Sequence, residues 1–225
     1  MKTVNLKNML NLRSLAIAAA IIVSMAFVSC EKENDDYISN SSEEVELKSS
    51  KAVKKSGSTI TETAIALATA NEGAEFTQLV AALSYVSEYY EDENGMGLDL
   101  VAFFNGTDQY TVFAPTDAAF QALYDNADLE NLLGYPVTGI MDIPVGIVKD
   151  VLLYHVTEGR RAANSVVPKN SPRMIETLLG ASFSVDNEGK IWAVGNEAMI
   201  TGGNAVSASN GIVHVINAVI LPIEL

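Results

Sequence analysis

The residues best suited to chemistry in this chain are few: one cysteine, Cys30, and two histidines, His155 and His214. Zinc asks for three or four ligands of Cys, His or carboxylate type, and with Cys30 near the N-terminus the remaining set is too thin. Acyl transfer asks for a Ser or Cys on a strained turn close to a histidine. The chain contains no GxSxG, no SxxK with a second motif and no Cys-His candidate. Gly202-Gly203 falls between extended segments and lacks the following helix and lysine of a phosphate-cradling loop. Glu91-Asp92-Glu93-Asn94-Gly95 gathers oxygen ligands before a glycine, as a calcium loop does. It lacks the alternating ligands and the terminal bidentate Glu, and reads as a solvated connection. With 28 acids some carboxylate pair must fall within glycosidase distance, so a polysaccharide-acting enzyme built on two carboxylates stays open as a rival reading. No particular catalytic residue, metal ligand or cofactor is expected.

The elements that must place these groups come next. His214 lies in Ile212-Val213-His214-Val215-Ile216, a run apolar on both faces apart from the histidine itself, which predicts a strand buried between two layers and a bonded core histidine. Asn210-Gly211 before it is the dipeptide that best tolerates the two positive-φ positions of a type I′ turn, so Val206-Ser207-Ala208 should pair antiparallel with this strand. Pro222 is expected to end the ladder. Tyr154-His155 comes where a helix over Ile143 to Tyr154 hands over to a strand.

Helical spacing over Thr61 to Ala70 and Phe76 to Tyr90, with a Gly73 break, predicts two helices at the start, and Leu98 to Phe104 a shorter third. Tyr110 to Phe113 is extended. Thr116 then caps a helix beginning at Asp117, whose carboxylate faces the positive end of the dipole, and Leu129 to Leu133 is a further turn closed by Gly134. From Met174 the pattern shifts to short extended segments, 174–178, 182–186, 191–194 and 198–201, separated by glycine-rich turns as in an antiparallel meander. Helices gathered early and strands late indicate α+β.

The N-terminal quarter has a different character. Lys2, Lys7 and Arg13 precede the apolar run Leu15 to Val28, fourteen residues that are too short to span a bilayer comfortably and match an export signal. Removing residues 1–29 takes away three of the 14 basic residues and none of the 28 acidic ones, moving the net charge from −14 to −17. Such a chain is excluded from nucleic acid and from charge-driven binding to an anionic bilayer, since both need Lys/Arg clusters. Phe27-Val28-Ser29-Cys30 resembles the lipobox of bacterial lipoproteins, with Phe27 where Leu is usual, so Cys30 is the expected lipidation site. Acyl chains would anchor the protein to the outer membrane, on its cell-surface or its periplasmic face, at about 0.8 kcal/mol per buried CH₂ without embedding it. Lys32-Glu33 with Asp35-Asp36 fits either an acidic signal that routes lipoproteins to the outer face of the outer membrane or a plain solvated linker. Residues 30–58, poor in apolar side chains, read as a flexible polar tether and 59–225 as one domain.

Tyr110 to Phe120 (YTVFAPTDAAF), the Tyr154-His155 pair and Asn210 to Pro222 (NGIVHVINAVILP) together resemble the fasciclin-like domain family, over roughly residues 60 to 225. The resemblance implies an antiparallel β-sandwich or wedge flanked by several helices, present once, and a non-catalytic binding module for adhesion or matrix attachment. Its partner would be an unknown protein or glycan at the cell surface or matrix, with the membrane reached through the lipid anchor alone. It also marks Tyr154 and His155 as possible partner-binding residues, against the alternative that Tyr154 packs in the core while His155 bonds a neighbouring loop. A purely structural subunit of an envelope complex is the remaining alternative.

Overall fold

In a computed structural model, which describes residues 57–70, 75–90, 99–201 and 205–225, the domain opens at Thr59. Its hydroxyl accepts from the Glu62 N–H and the Glu62 carboxylate accepts from its own N–H, a capping box that starts α1 (Ile60–Ala68). The expected second helix is α2 (Thr77–Tyr90), which buries Leu79, Ala82, Leu83 and Val86 on one face. Asp99 caps the short α3 (Leu100–Phe103). After β1 (Tyr110–Pro115), Thr116 accepts from the Ala119 N–H and starts α4 (Asp117–Tyr124). α5 (Ala127–Leu133) ends on Gly134 at φ 78°, the left-handed C-cap its sequence announces. A 3₁₀ turn at Ile140–Asp142 leads to α6 (Val145–Tyr154), then β2 (Val156–Glu158) and α7 (Ala163–Val166). The strands β3 (Arg173–Glu176), β4 (Ser182–Val185), β5 (Lys190–Trp192) and β6 (Glu197–Met199) follow, and β7 (Val206–Ala208) and β8 (Gly211–Ile216) close the chain's strands.

Two four-stranded sheets result. One is the expected meander, β3-β4-β5-β6, antiparallel throughout; the other runs β2-β1-β8-β7. In the second sheet β1 and β8 pair parallel over six positions, from Tyr110↔Gly211 to Pro115↔Ile216. Local patterning does not reveal this pair, because its partners lie about a hundred residues apart and a buried strand looks apolar in either direction.

Pleating decides the layers. Val112 and Ala114 of β1, with Val213 of β8 and Val156 of β2, join the core shared with α1, α2, α4 and α6. Phe113 and Ile216, from the opposite face, join Ile175, Phe183, Val185, Ile191 and Ala198 of the second sheet. The order is therefore helices, first sheet, second sheet. The α+β fold with a β-sandwich flanked by helices is what the structure shows.

Two local expectations are corrected. The β7–β8 hairpin forms with Ala208 opposite Gly211, but its two loop residues are Ser209 and Asn210, and neither Asn210 nor Gly211 has positive φ. Asn210 is instead 3% exposed, its amide donating to the carbonyls of Phe104 (2.7 Å) and Gly106 (2.9 Å) and its oxygen accepting from the Ile60 N–H (2.8 Å). This one side chain supplies an orphan donor in the first turn of α1 with an acceptor and fastens the α3–β1 connection to the hairpin. Gly211 serves close approach: a Cβ there would lie 2.3 Å from the Tyr110 carbonyl oxygen and 2.6 Å from Ile60 Cδ1. Pro222 does not end the ladder either, since β8 stops at Ile216. Val219 to Leu221 is tied down by side chains, with Asn196 donating to the Val219 carbonyl and accepting from the Leu221 N–H.

Candidate functional site

Tyr154 is the last residue of α6 and wholly buried. Its hydroxyl donates to the Ser182 carbonyl at 3.1 Å and accepts from the Val194 N–H at 3.4 Å, while its ring meets Phe183 edge-on at 5.8 Å. Burial raises its pKa. It pins the end of α6 to the second sheet.

His155, the C-cap of α6, is 3% exposed. Nδ1–H donates to the Val151 carbonyl at 2.7 Å and Nε2 accepts from the Ile220 N–H at 3.0 Å, which fixes one neutral tautomer. Burial pushes its pKa down to about 4, against the partial opposition of the Val151 bond. With the Nε2 lone pair held by Ile220 the ring offers no base. This arrangement gives the Val151 carbonyl a second donor beside the His155 N–H and satisfies one N–H of the non-strand segment beyond β8.

His214 faces the other way. It stacks on Phe113 at 5.6 Å and donates from Nε2 to the Arg161 carbonyl at 2.9 Å, and burial lowers its pKa as well. Each histidine thus answers to its own backbone partners, and among the described residues no group of three or more His, Cys, Asp or Glu is placed to hold a metal. Cys30 and the acidic turn 91–95 lie outside the described residues, as do all but the last two residues of the predicted tether.

The acids that the geometry places work as caps. Asp117 accepts from the Gln78 N–H (2.9 Å) and the Thr77 hydroxyl (2.7 Å), reaching across to the first turn of α2, while Glu75 accepts from the Asp117 N–H at 2.6 Å. Each helix is thereby supplied with a carboxylate from the other's approach. Asp142 is held below the usual carboxylate range by the Thr138 N–H and hydroxyl and the Gly139 N–H, which outweigh desolvation. Burial works to raise Asp186, but N–H groups of Lys190 and Glu188, the Trp192 indole and the Lys190 charge bring it down. A general acid at neutral pH needs the opposite shift.

Two larger concavities stand out among the described residues, beside a small one of about 40 Å³ between α1, α2 and the first sheet. A cavity of about 290 Å³ lies among α2, α4, α5, α6 and the C-terminal segment, with His155 in its wall. A more open, polar groove of about 580 Å³ lies beside Trp192, with Asn126, Asp128, Glu197 and Glu224 along it. Trp192 is 45% exposed; Lys190 covers its ring at 3.9 Å and pairs with Glu197 at 2.6 Å. Sequence reasoning missed both hollows, the cross-capping by Asp117 and the tie made by Asn210. Only the last had a local sign, the Asn-Gly dipeptide, and that sign pointed to turn geometry.

The Fasciclin domain family model matches residues 74–222. Among curated relatives, the Immunogenic protein MPB70 of Mycobacterium bovis is 33% identical over 155 residues, 68% of this chain and 66% of its own length. The Cell surface glycolipoprotein MPB83 of the same species is 30% identical over 125 residues, 56% of this chain and 49% of its own length. A solved FAS1 domain pair from the insect cell adhesion molecule Fasciclin I aligns at a TM-score of 0.47 and 16% identity, covering 73% of this chain and 51% of that one. The chain thus spans just under two thirds of the first relative and about half of the other two.

Proposed function

The chain belongs to the fasciclin domain family, and from that premise we propose that it is an exported bacterial lipoprotein, anchored to the outer membrane through Cys30, whose single domain binds a protein or glycan at the cell surface or matrix without catalysis. The observation that carries this reading is the placement of Tyr154, His155 and His214. Each is buried and bonded within the fold, so the reactive side chains of the motifs hold layers together and recognition falls to the exposed surface. Of that surface, the groove beside Trp192 suits a partner best. It joins the half-exposed Trp192, over whose ring Lys190 lies, to amide and carboxylate side chains, the combination of apolar body and polar edge that recognition sites share. No helix among the described residues is long and apolar enough to cross a membrane, so anchoring on this reading falls to lipid on Cys30. The surface location named for one relative, the glycolipoprotein, supports it.

The test has two arms. Mass spectrometry of the mature protein should find an acylated N-terminal Cys30, and Cys30→Ala should leave the membrane fraction or retain its signal; an N-terminus elsewhere with membrane association intact would reject the anchor. Folded chain should be captured on glycan and matrix-protein arrays, with Trp192→Ala lowering capture about tenfold, as loss of an aromatic anchor does. Hydrolysis of an envelope glycan, abolished by one Asp or Glu substitution that leaves the fold intact, would replace the binding module with an enzyme.

A further inference from the structure

The cavity behind His155 has no part in the surface reading, and four helices and the C-terminal segment wall it. Leu79 of α2, Phe120 of α4, Leu129 of α5 and Val148 of α6 line it on the domain side, and Leu221 closes it from the C-terminal segment. Those five are at most 6% exposed, while Leu132 of α5 and Ile223, which also line it, are 52% and 43% exposed. The hollow is lined by apolar side chains and opens at an apolar mouth.

Water is a poor occupant. An ordered buried water needs two to four polar partners, and the cavity offers two candidates. His155 has both nitrogens engaged, at Val151 and Ile220. Asp150 has a half-exposed carboxylate paired with Lys149 at 3.2 Å, which puts it at the solvent edge. No cationic side chain lines the cavity among the described residues, so nothing inside recognises an anionic head group. A cavity of ~150 Å³ takes benzene, so about 290 Å³ holds roughly a dozen non-hydrogen atoms. That is one short chain and not the paired tails of a membrane phospholipid.

We propose that this cavity binds a single aliphatic chain of about ten carbons with an uncharged head group, which enters between Leu132 and Ile223 and leaves its head in water. The walls are mainly branched aliphatic side chains, with Phe120 and the His155 imidazole the aromatic rings among the described lining residues, so contact with a flexible chain is made by dispersion along its length. The source is a free single-chain molecule such as an alcohol or ester, not a lipid drawn from a bilayer.

The experiment uses the full chain as Cys30→Ala, so that no attached lipid competes, and titrates it with 1-decanol by calorimetry and by thermal shift. One saturable site per chain is expected, with a rise in melting temperature. Leu132→Asp, at an exposed position where the fold is safe, should weaken binding at least tenfold. Val148→Phe should do the same by filling the hollow, and should it fail to fold, Leu132→Asp alone decides. Trp192→Ala should change decanol binding by less than twofold, which keeps this inference separable from the surface reading. No saturable decanol binding, decanol binding indifferent to Leu132→Asp, or sedimentation with phosphatidylcholine vesicles in place of decanol binding would each overturn it.

Discussion

Gly211→Ala is the sharpest probe of how this fold is held together. The added Cβ would stand 2.3 Å from the Tyr110 carbonyl oxygen and 2.6 Å from Ile60 Cδ1, where carbon contacts are comfortable at roughly 3.5 Å. Ile60 can swing its terminal methyl. Tyr110 cannot yield alone, because it is paired with Gly211 at the start of the parallel β1–β8 ladder and a shift of about 1 Å there propagates along it. The neighbouring Asn210 makes three hydrogen bonds of 2.7 to 2.9 Å that the same shift would stretch. Overpacking of this kind costs about 1–3 kcal/mol, and weakening the Asn210 set adds about 1 kcal/mol more. For a domain of this size the melting temperature should fall by about 5–12 °C. Gly146→Ala is the matched control: it sits in α6 with nothing within 4 Å of its would-be Cβ, so the same substitution should stabilise by about 0.5–1 kcal/mol. Urea unfolding followed by the fluorescence of the single tryptophan, Trp192, together with circular dichroism, measures both. Equal signs for the two variants, or a Gly211→Ala change below about 0.5 kcal/mol, would refute the close-approach argument.

Asn210→Ala should cost about 2–4 kcal/mol in the same assay, because it strands one buried N–H and two carbonyls; Asn210→Asp should be no better, since a carboxylate replaces the two donated bonds with charge against carbonyl oxygens, and full stability in either variant would refute the role. Stability should also fall on mild acidification. His155 is held neutral in the fold with its pKa lowered to about 4, so as pH drops below the ordinary 6.5 the unfolded chain takes the proton first. The loss begins near pH 6.5, reaches about 2 kcal/mol by pH 5 and continues toward pH 4, with buried His214 adding in the same direction. A flat stability profile between pH 7 and 5, or one that His155→Gln leaves unchanged, would show that His155 is not buried neutral.

The chain by itself determined much of the architecture, wherever the governing interactions are local. Thr116 before Asp117, Gly134 after Leu133 and the apolar spacing of α2 act within one or two turns of helix, so their elements were readable to within a residue or two. The meander from β3 to β6 was equally legible, its strands being joined by short glycine-containing turns. His214 was readable as core because a strand apolar on both faces leaves its side chains no solvent. The tertiary structure alone decided what depends on separations of about forty residues or more. It paired β8 parallel to β1, turned Asn210 from a hairpin residue into a clamp on Phe104, Gly106 and Ile60, and sent Asp117 to the start of α2. It also buried Tyr154 and His155, whose sequence position at a helix end is compatible with either surface or core. The cavity belongs to this second class in the strictest sense. A void is set by how six or more distant side chains fail to meet, and no spacing of residues along one chain records that.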